Sequence, residues 1–258
     1  MGQERIIHAA LLGAGTVGSG VYKLVKDLEE EIISKTGARL VVDKILVRDT
    51  TKAREGIPSE LLIDRWDEIL NDPQIEIVIE VMGGIRPALT WLEEALRAGK
   101  QVVTANKDLL AEYGEQLFDA AEAGKCDLHF EAAVAGAIPI IRPLRQSLVA
   151  SELTEVMGIV NGTTNYILTR MTEDGMGYEE ALALATKLGY AESDPTADVE
   201  GYDAGRKVAI MASIAFNSNV TFSQVYTEGI THITAEDIRY AKEFGYVIKL
   251  IGMTRLPE

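Results

Sequence analysis

Gly13-Ala14-Gly15-Thr16-Val17-Gly18 follows the apolar run Ile6–Leu12. It opens a stretch, Val17–Ser34, that places Val21, Leu24, Val25 and Leu28 on one helical face. A second apolar run, Leu40–Val47, comes next. Strand, glycine turn, helix and strand form the context in which G-x-G-x-x-G reads as a dinucleotide fingerprint; the six letters alone would also suit a turn without a ligand. The three glycines do different things. Gly13 permits the tight turn, Gly15 lets the backbone approach a pyrophosphate, and Gly18 lets helix and strand pack closely. The helix N-terminus at Thr16 and Val17 offers free N–H groups and a partial positive charge to the phosphates.

Outward from this stretch the first half keeps the same rhythm. Ile75–Val81 is a strand stopped by Gly83-Gly84, and Pro87 suits the first turn of a helix that runs to Ala98. Gln101–Thr104, Leu109–Ala123 and Leu128–Val134 read as strand, helix closed by Gly124, and strand. Such alternation predicts an α/β fold of Rossmann type, a doubly wound parallel sheet. After Gly136 the rhythm changes. Strands at Leu153–Val160 and Val247–Gly252 bracket helices at Tyr178–Leu188, Tyr202–Phe216 and Ala235–Phe244, with a further helix after Asn161-Gly162-Thr163-Thr164. The expected division is a dinucleotide-binding domain over residues 1–136 and an α+β catalytic domain over residues 137–258.

Composition narrows the function. Of 258 residues, 25 are Lys or Arg and 40 are Asp or Glu, a formal charge of −15. A surface this acidic repels phosphate backbones and anionic lipid, so no nucleic-acid or membrane partner is expected, and an anionic ligand needs a local pocket. The single cysteine, Cys126, allows no intramolecular disulfide, which fits a reducing compartment. Residues 1–10 do not form a secretory signal, Ile6 stands where myristoylation needs Ser or Thr, and no apolar run reaches membrane-spanning length. A cytoplasmic protein is expected.

The end of the second strand reads Val47-Arg48-Asp49-Thr50-Thr51-Lys52. Arg48, helped by Lys52, suits the 2′-phosphate of NADP, the preferred cofactor, whereas Asp49 keeps NAD open by offering an acid to the ribose hydroxyls; the same run of charges also suits an ordinary solvated loop. Thr104-Ala105-Asn106-Lys107 sits at the C-terminal end of a parallel strand, the edge where open α/β sheets bind ligands. Lys107 there is either placed for chemistry or an ordinary loop lysine. In the second half, five acids crowd Gly189 to Lys207. Asp203 and Lys207, four apart, project from one helix face. By spacing alone this is an ordinary ion pair at a helix start. But Val208-Ala209-Ile210-Met211 follow at once, so the helix is largely buried, and a charged pair there fits a cleft for an ammonium-bearing substrate.

Gly13–Gly18, Thr104–Lys107, Glu131–Pro139, Asn161–Asn165 and Gly189–Lys207, in this order and spacing, resemble the homoserine dehydrogenase family. The resemblance implies reversible reduction of L-aspartate 4-semialdehyde to L-homoserine, a step in threonine and methionine biosynthesis, with NADP or NAD. Lys207 would donate the proton to the carbonyl oxygen, and Lys107 would assist beside it. Glu192 and Asp203 would hold the substrate, chiefly its ammonium, with Asp198 lining the same region. Gly189 would touch the cofactor. Glu131, Val134, Gly136 and Ile138 would match a monovalent-cation site, sodium, mostly through backbone carbonyls. The family pattern runs on past Leu250 through a glycine-rich cofactor segment and a closing helix, so the resemblance also implies a second domain incomplete at its C-terminus. A homodimer is expected, with the strands at Leu153–Val160 and Val247–Gly252 pairing across a two-fold axis.

Two other readings compete. Aspartate-semialdehyde dehydrogenase handles the same aldehyde but needs a nucleophilic cysteine. Cys126 precedes a strand, on the wrong edge for the chemistry. A dinucleotide-binding or dimerisation module, inactive through truncation, is the other, and the joint presence of Lys107, Glu192, Asp203 and Lys207 counts against lost chemistry.

Overall fold

The computed structural model describes residues 5–256. The chain divides into two units, Met1–Ala133 and Val134–Glu258. In the first, β1 (Arg5–Leu12), α1 (Thr16–Asp27), α2 (Glu29–Thr36), β2 (Ala38–Leu46), β3 (Leu62–Ile63), α3 (Asp67–Leu70), β4 (Ile75–Glu80), α4 (Ala88–Arg97), β5 (Gln101–Thr104), α5 (Lys107–Gly124) and β6 (Leu128–His129) follow one another. The strands form one sheet in the order β3-β2-β1-β4-β5-β6, every pairing parallel. This is the expected doubly wound sheet. The order reverses between β1 and β4, and that reversal opens a crevice beyond the carboxyl ends of the strands. Register aligns these ends: Leu12 lies beside Leu46 and Glu80, and Glu80 beside Thr104.

Alternation along β1 supplies both faces. Ala9 and Leu11 join Val42, Ile45 and Ile79 in one buried cluster, against which Val21 and Val25 of α1 pack. Leu89, Leu92 and Leu96 of α4 and Leu109 and Leu117 of α5 are buried with their helices side by side. Burying one such side chain stabilises by about 1.5–3 kcal/mol. Trp66 and Trp91 stack at 5.6 Å between ring centroids, and the Trp66 indole donates to Glu94 Oε2 at 2.6 Å.

The second unit contains β7 (Glu155–Gly158), α6 (Gly162–Asp174), α7 (Tyr178–Lys187), α8 (Thr196–Val199), α9 (Tyr202–Ala215), α10 (Ala235–Glu243) and β8 (Gly252–Arg255). Ile167, Leu168 and Met171 of α6 share a core with Ala181 and Ala185 of α7, Val199 of α8 and Ile238 of α10. The most buried helix is α9, and β7 and β8 form an antiparallel pair beside it. A Cβ on Gly252 would come within 2.9 Å of Val208 Cγ2, so glycine lets α9 approach the strand.

Several elements differ from the sequence reading. The helix expected over Val17–Ser34 breaks at Leu28. Glu29, Glu30 and Glu31 then fill the first turn of α2, where acids favour a new helix start. The expected strand Leu128–Val134 stops at His129, because β5, its only neighbour among the described residues, ends at Thr104. Leu153–Val160 shrinks to β7. The strand expected at Val247–Gly252 lies instead at Gly252–Arg255, because Ile248 and Leu250 pack on the apolar core around α6 and α7 rather than pairing. The pairing expected across a two-fold axis is replaced by the pairing of β7 with β8 within one chain.

Candidate active site

The glycine turn is held by the sheet itself: Gly13 N–H donates to Leu46 O at 3.0 Å. Gly13 has φ +100°, a backbone angle that suits glycine, and a Cβ on Gly18 would lie 2.1 Å from Gly13 O. Gly15 is different. A Cβ there would meet nothing within 4 Å, so no neighbour in the protein requires glycine at that place. Gly15 is also the N-cap of α1 and contributes no side-chain cap, which leaves the first-turn N–H groups at Thr16, Val17 and Gly18 for an anion. Arg48 lies exposed just beyond β2. Asp49 is turned into its own loop, accepting from Thr51 N–H at 2.9 Å and the Thr51 hydroxyl at 2.6 Å. These bonds, the hydroxyl first, hold its carboxyl below the usual range.

Beyond β4 and β5 lies a buried polar network. Glu80 is fully buried; its Oε1 accepts from Met82 N–H at 2.8 Å and Gly83 N–H at 3.0 Å, and its Oε2 accepts from the Thr104 hydroxyl at 2.6 Å. Thr104 Oγ1 accepts from Asn106 N–H at 3.0 Å. The Asn106 side chain donates to Gly84 O and caps α5 by accepting from Leu109 N–H. The loops after the two strands are thereby tied together, and Lys107, partly buried, opens α5 on that edge.

In the second unit the acids gather as the helix spacing predicts. Lys207 Nζ donates to Asp203 Oδ2 at 2.6 Å and to Val160 O at 2.7 Å. Asn161 Nδ2 donates to Asp203 Oδ2 at 2.9 Å and to Asp198 Oδ1 at 2.7 Å. The side chains of Lys207 and Asp203 are only 16% and 9% exposed, so each charge depends on these partners. Three segments meet here: the turn after β7, α8 and α9. On α9, a Cβ on Gly205 would come within 2.5 Å of Thr227 Cγ2 and 2.8 Å of Phe222 Cε2, so glycine there lets the segment around Phe222 and Thr227 pack on the helix.

The remaining expected residues lie outside this cluster. Glu192 and Gly189 are exposed on the segment between α7 and α8. Val134 is buried, Glu131 is partly buried, and Gly136 and Ile138 are exposed, in a turn where Ala135 and Gly136 both have left-handed φ, 62° and 51°. Among the described residues no three His, Cys, Asp or Glu side chains gather as a metal site. Cys126 stands before β6, at the edge away from the nucleotide turn; its thiol donates to Leu96 O at 3.2 Å, and burial pushes its pKa up. Both features oppose a thiolate nucleophile. Sequence reasoning gave no role to Asn161, Val160 O or Glu80. Asn161 falls inside the Asn161–Asn165 motif, but a bridge to acids 37 and 42 residues away has no local signature.

Residues 13–131 match the family model for the homoserine dehydrogenase NAD-binding domain, and residues 139–256 match the model for homoserine dehydrogenase. A solved putative homoserine dehydrogenase from Archaeoglobus fulgidus is 34% identical with TM-score 0.84, over 96% of this chain and 80% of its own. The chain belongs to the homoserine dehydrogenase family. The homoserine dehydrogenase of Bacillus subtilis is 47% identical over 252 residues, 97% of this chain. The homoserine dehydrogenase structure from Thiobacillus denitrificans is 45% identical with TM-score 0.92, over 98% of this chain and 59% of that one. The chain spans 58% of the Bacillus homoserine dehydrogenase.

Proposed function

We propose that this chain carries out homoserine dehydrogenase chemistry, reversibly reducing L-aspartate 4-semialdehyde to L-homoserine, with NADP preferred and NAD as the alternative. The observation that carries the reading is the Lys207 ammonium, held at 2.6 Å from Asp203 and 2.7 Å from Val160 O in a site that also gathers Asp198. The residues present fit a dinucleotide: open space faces Gly15, and α1 starts with uncapped N–H groups. Gly13, Gly15, Thr16, Val17 and Gly18 would hold the pyrophosphate, and Arg48 the 2′-phosphate, while Asp49 is spent on its own turn. A solved hyperthermophilic archaeal homoserine dehydrogenase, 23% identical and sharing the fold with TM-score 0.80, is in complex with NADPH.

When bound, the reduced nicotinamide supplies a hydride to the aldehyde carbon. Lys207 answers the negative charge that grows on the oxygen. Two of its three N–H donors are committed to Asp203 and Val160, and the third is the one this reading gives to the substrate oxygen, together with its proton. Glu192 and Asp203 hold the substrate, chiefly its ammonium, and Asp198 lines the same region. Lys107 assists the chemistry and Gly189 touches the cofactor. A monovalent cation, sodium, belongs to the same reading: a turn with two successive left-handed residues carries the carbonyls of Val134, Gly136 and Ile138 outside helix and strand, and with Glu131 the donors are all oxygen, suited to a hard cation. A homodimer is supported by the exposed apolar residues Met157 of β7 and Met253 of β8, with exposed Ile159 and Ile251 just beyond the two strands. A cytoplasmic location fits the single cysteine, and among the described residues no helix is long and apolar enough to cross a membrane.

The test is NADPH oxidation with L-aspartate 4-semialdehyde, run beside NADH and beside Lys207→Ala. Turnover lost in the variant with NADPH affinity kept supports the reading. NADPH binding without turnover in the unaltered chain favours the non-catalytic module, and equal loss of turnover and affinity in the variant marks Lys207 as structural.

A further inference from the structure

We propose that Asn161 is a positioning residue that holds Asp198, Asp203 and, through Asp203, Lys207 in one fixed constellation; this rests on the function proposed above. Its amide uses its full hydrogen-bonding capacity. Oδ1 accepts from Thr164 N–H and from the Thr164 hydroxyl, each at 2.8 Å. Thr164 N–H can only donate, so the amide orientation is fixed and Nδ2 must face the acids. Nδ2 then gives one N–H to Asp198 at 2.7 Å and one to Asp203 at 2.9 Å. Asn161 and Asp203 are both more than nine-tenths buried. The charged groups that face the amide are Asp198 from α8 and Asp203 with Lys207 from α9; Thr164 and Val160 on its own side are neutral. A neutral double donor between two carboxylates keeps them close without leaving them as bare like charges, and the acceptor already taken by Lys207 is shared with the same amide.

Asn161 is also the N-cap of α6, and an aspartate caps a helix equally well. Asn161→Asp therefore keeps the cap and removes the two donors. In the full chain, the kcat of Asn161→Asp with NADPH and L-aspartate 4-semialdehyde falls about 100-fold near neutral pH, as expected for losing bonds to charged groups. It recovers at least tenfold relative to the unaltered chain towards pH 5, where the added carboxyl takes a proton and donates again. The Kd for NADPH stays unchanged. Asn161→Ser, which caps but is too short to reach the acids, loses kcat without the acid recovery. A wild-type pH profile in Asn161→Asp, or equal loss in both variants at every pH, overturns the proposal. An arm free of turnover follows the carboxyl 13C resonances of Asp198 and Asp203 through a pH titration. Their midpoints move up in Asn161→Asp, and unmoved midpoints overturn the positioning role. Absence of turnover and of L-homoserine binding in the unaltered chain overturns the proposed function instead, a result separable from these.

Discussion

Replacing Gly15 and Gly18 by alanine, one at a time, separates what the nucleotide turn does for a ligand from what it does for the fold. At Gly18 the new methyl would sit 2.1 Å from Gly13 O and 2.9 Å from Gly13 C. Both atoms are backbone, so α1 must move away by about 1 Å to restore an ordinary contact. Overpacking of this kind costs about 1–3 kcal/mol, or roughly 3–12 °C in the midpoint of a unit of this size. At Gly15 φ is −80°, which any residue adopts, and the methyl meets nothing within 4 Å. Replacing a glycine N-cap by alanine costs about 0.5–1 kcal/mol, offset by about 0.4–1 kcal/mol from a stiffer unfolded chain. Gly15→Ala therefore leaves stability within about 0.5 kcal/mol. Its methyl stands where a pyrophosphate approaches, and a crowding cost of about 1.4–2.8 kcal/mol raises the Kd for NADPH about 10- to 100-fold. Thermal unfolding and NADPH fluorescence titration read the two effects. Wild-type affinity in Gly15→Ala refutes the pyrophosphate placement, and unchanged stability in Gly18→Ala refutes the steric account of the turn.

Other consequences follow from buried groups. Glu80→Gln sets an amide against a site whose three hydrogen bonds all arrive as donors, so urea unfolding is expected to show a loss of about 1.5–3 kcal/mol; an unchanged midpoint would show that the network is not needed. Lys100 is buried, donates to Asp72 O and Ile75 O, and burial lowers its pKa below the usual 10.5. The unfolded chain then holds the proton more tightly, so this lysine's cost is fully present below the lowered folded pKa and disappears as pH rises through 10.5. Stability of the unaltered chain relative to Lys100→Met therefore rises with pH across that window, and a constant difference from about pH 8 upwards would refute it. Gly205→Ala drives a methyl to within 2.5 Å of Thr227 Cγ2, which loosens α9; about 1–3 kcal/mol of stability and most turnover are lost, as calorimetry and the NADPH assay would show.

The first unit was legible because its signals are local. The run at Ile75–Val81 became β4, Gln101–Thr104 became β5 without change, and the glycine turn fell between β1 and α1 where strand and helix patterns placed it. What escaped was short or decided from afar. Leu62–Ile63 and Asp67–Leu70 are too brief for periodicity to register. At the C-terminal end, Val247–Gly252 has the composition of a strand, yet β7 pairs with the residues that follow it, because Gly252 is where α9 allows a strand to lie. The site divides in the same way. Asp203 and Lys207 were readable as a helical pair from their spacing, whereas the carbonyl of Val160 reaches Lys207 across 47 residues and left no trace in composition. Asn161 shows its meaning only once α8 and α9 are folded against it.

The chain holds two tryptophans, and both stand in the first unit, stacked on one another. Seven of the nine tyrosines lie after Val134. Selective excitation of indole thus watches the nucleotide-binding unit alone, while the phenol signal reports mostly on the other. A denaturation followed in both channels assigns each transition to its unit without any label, and coincident curves would mean that the two halves melt as one.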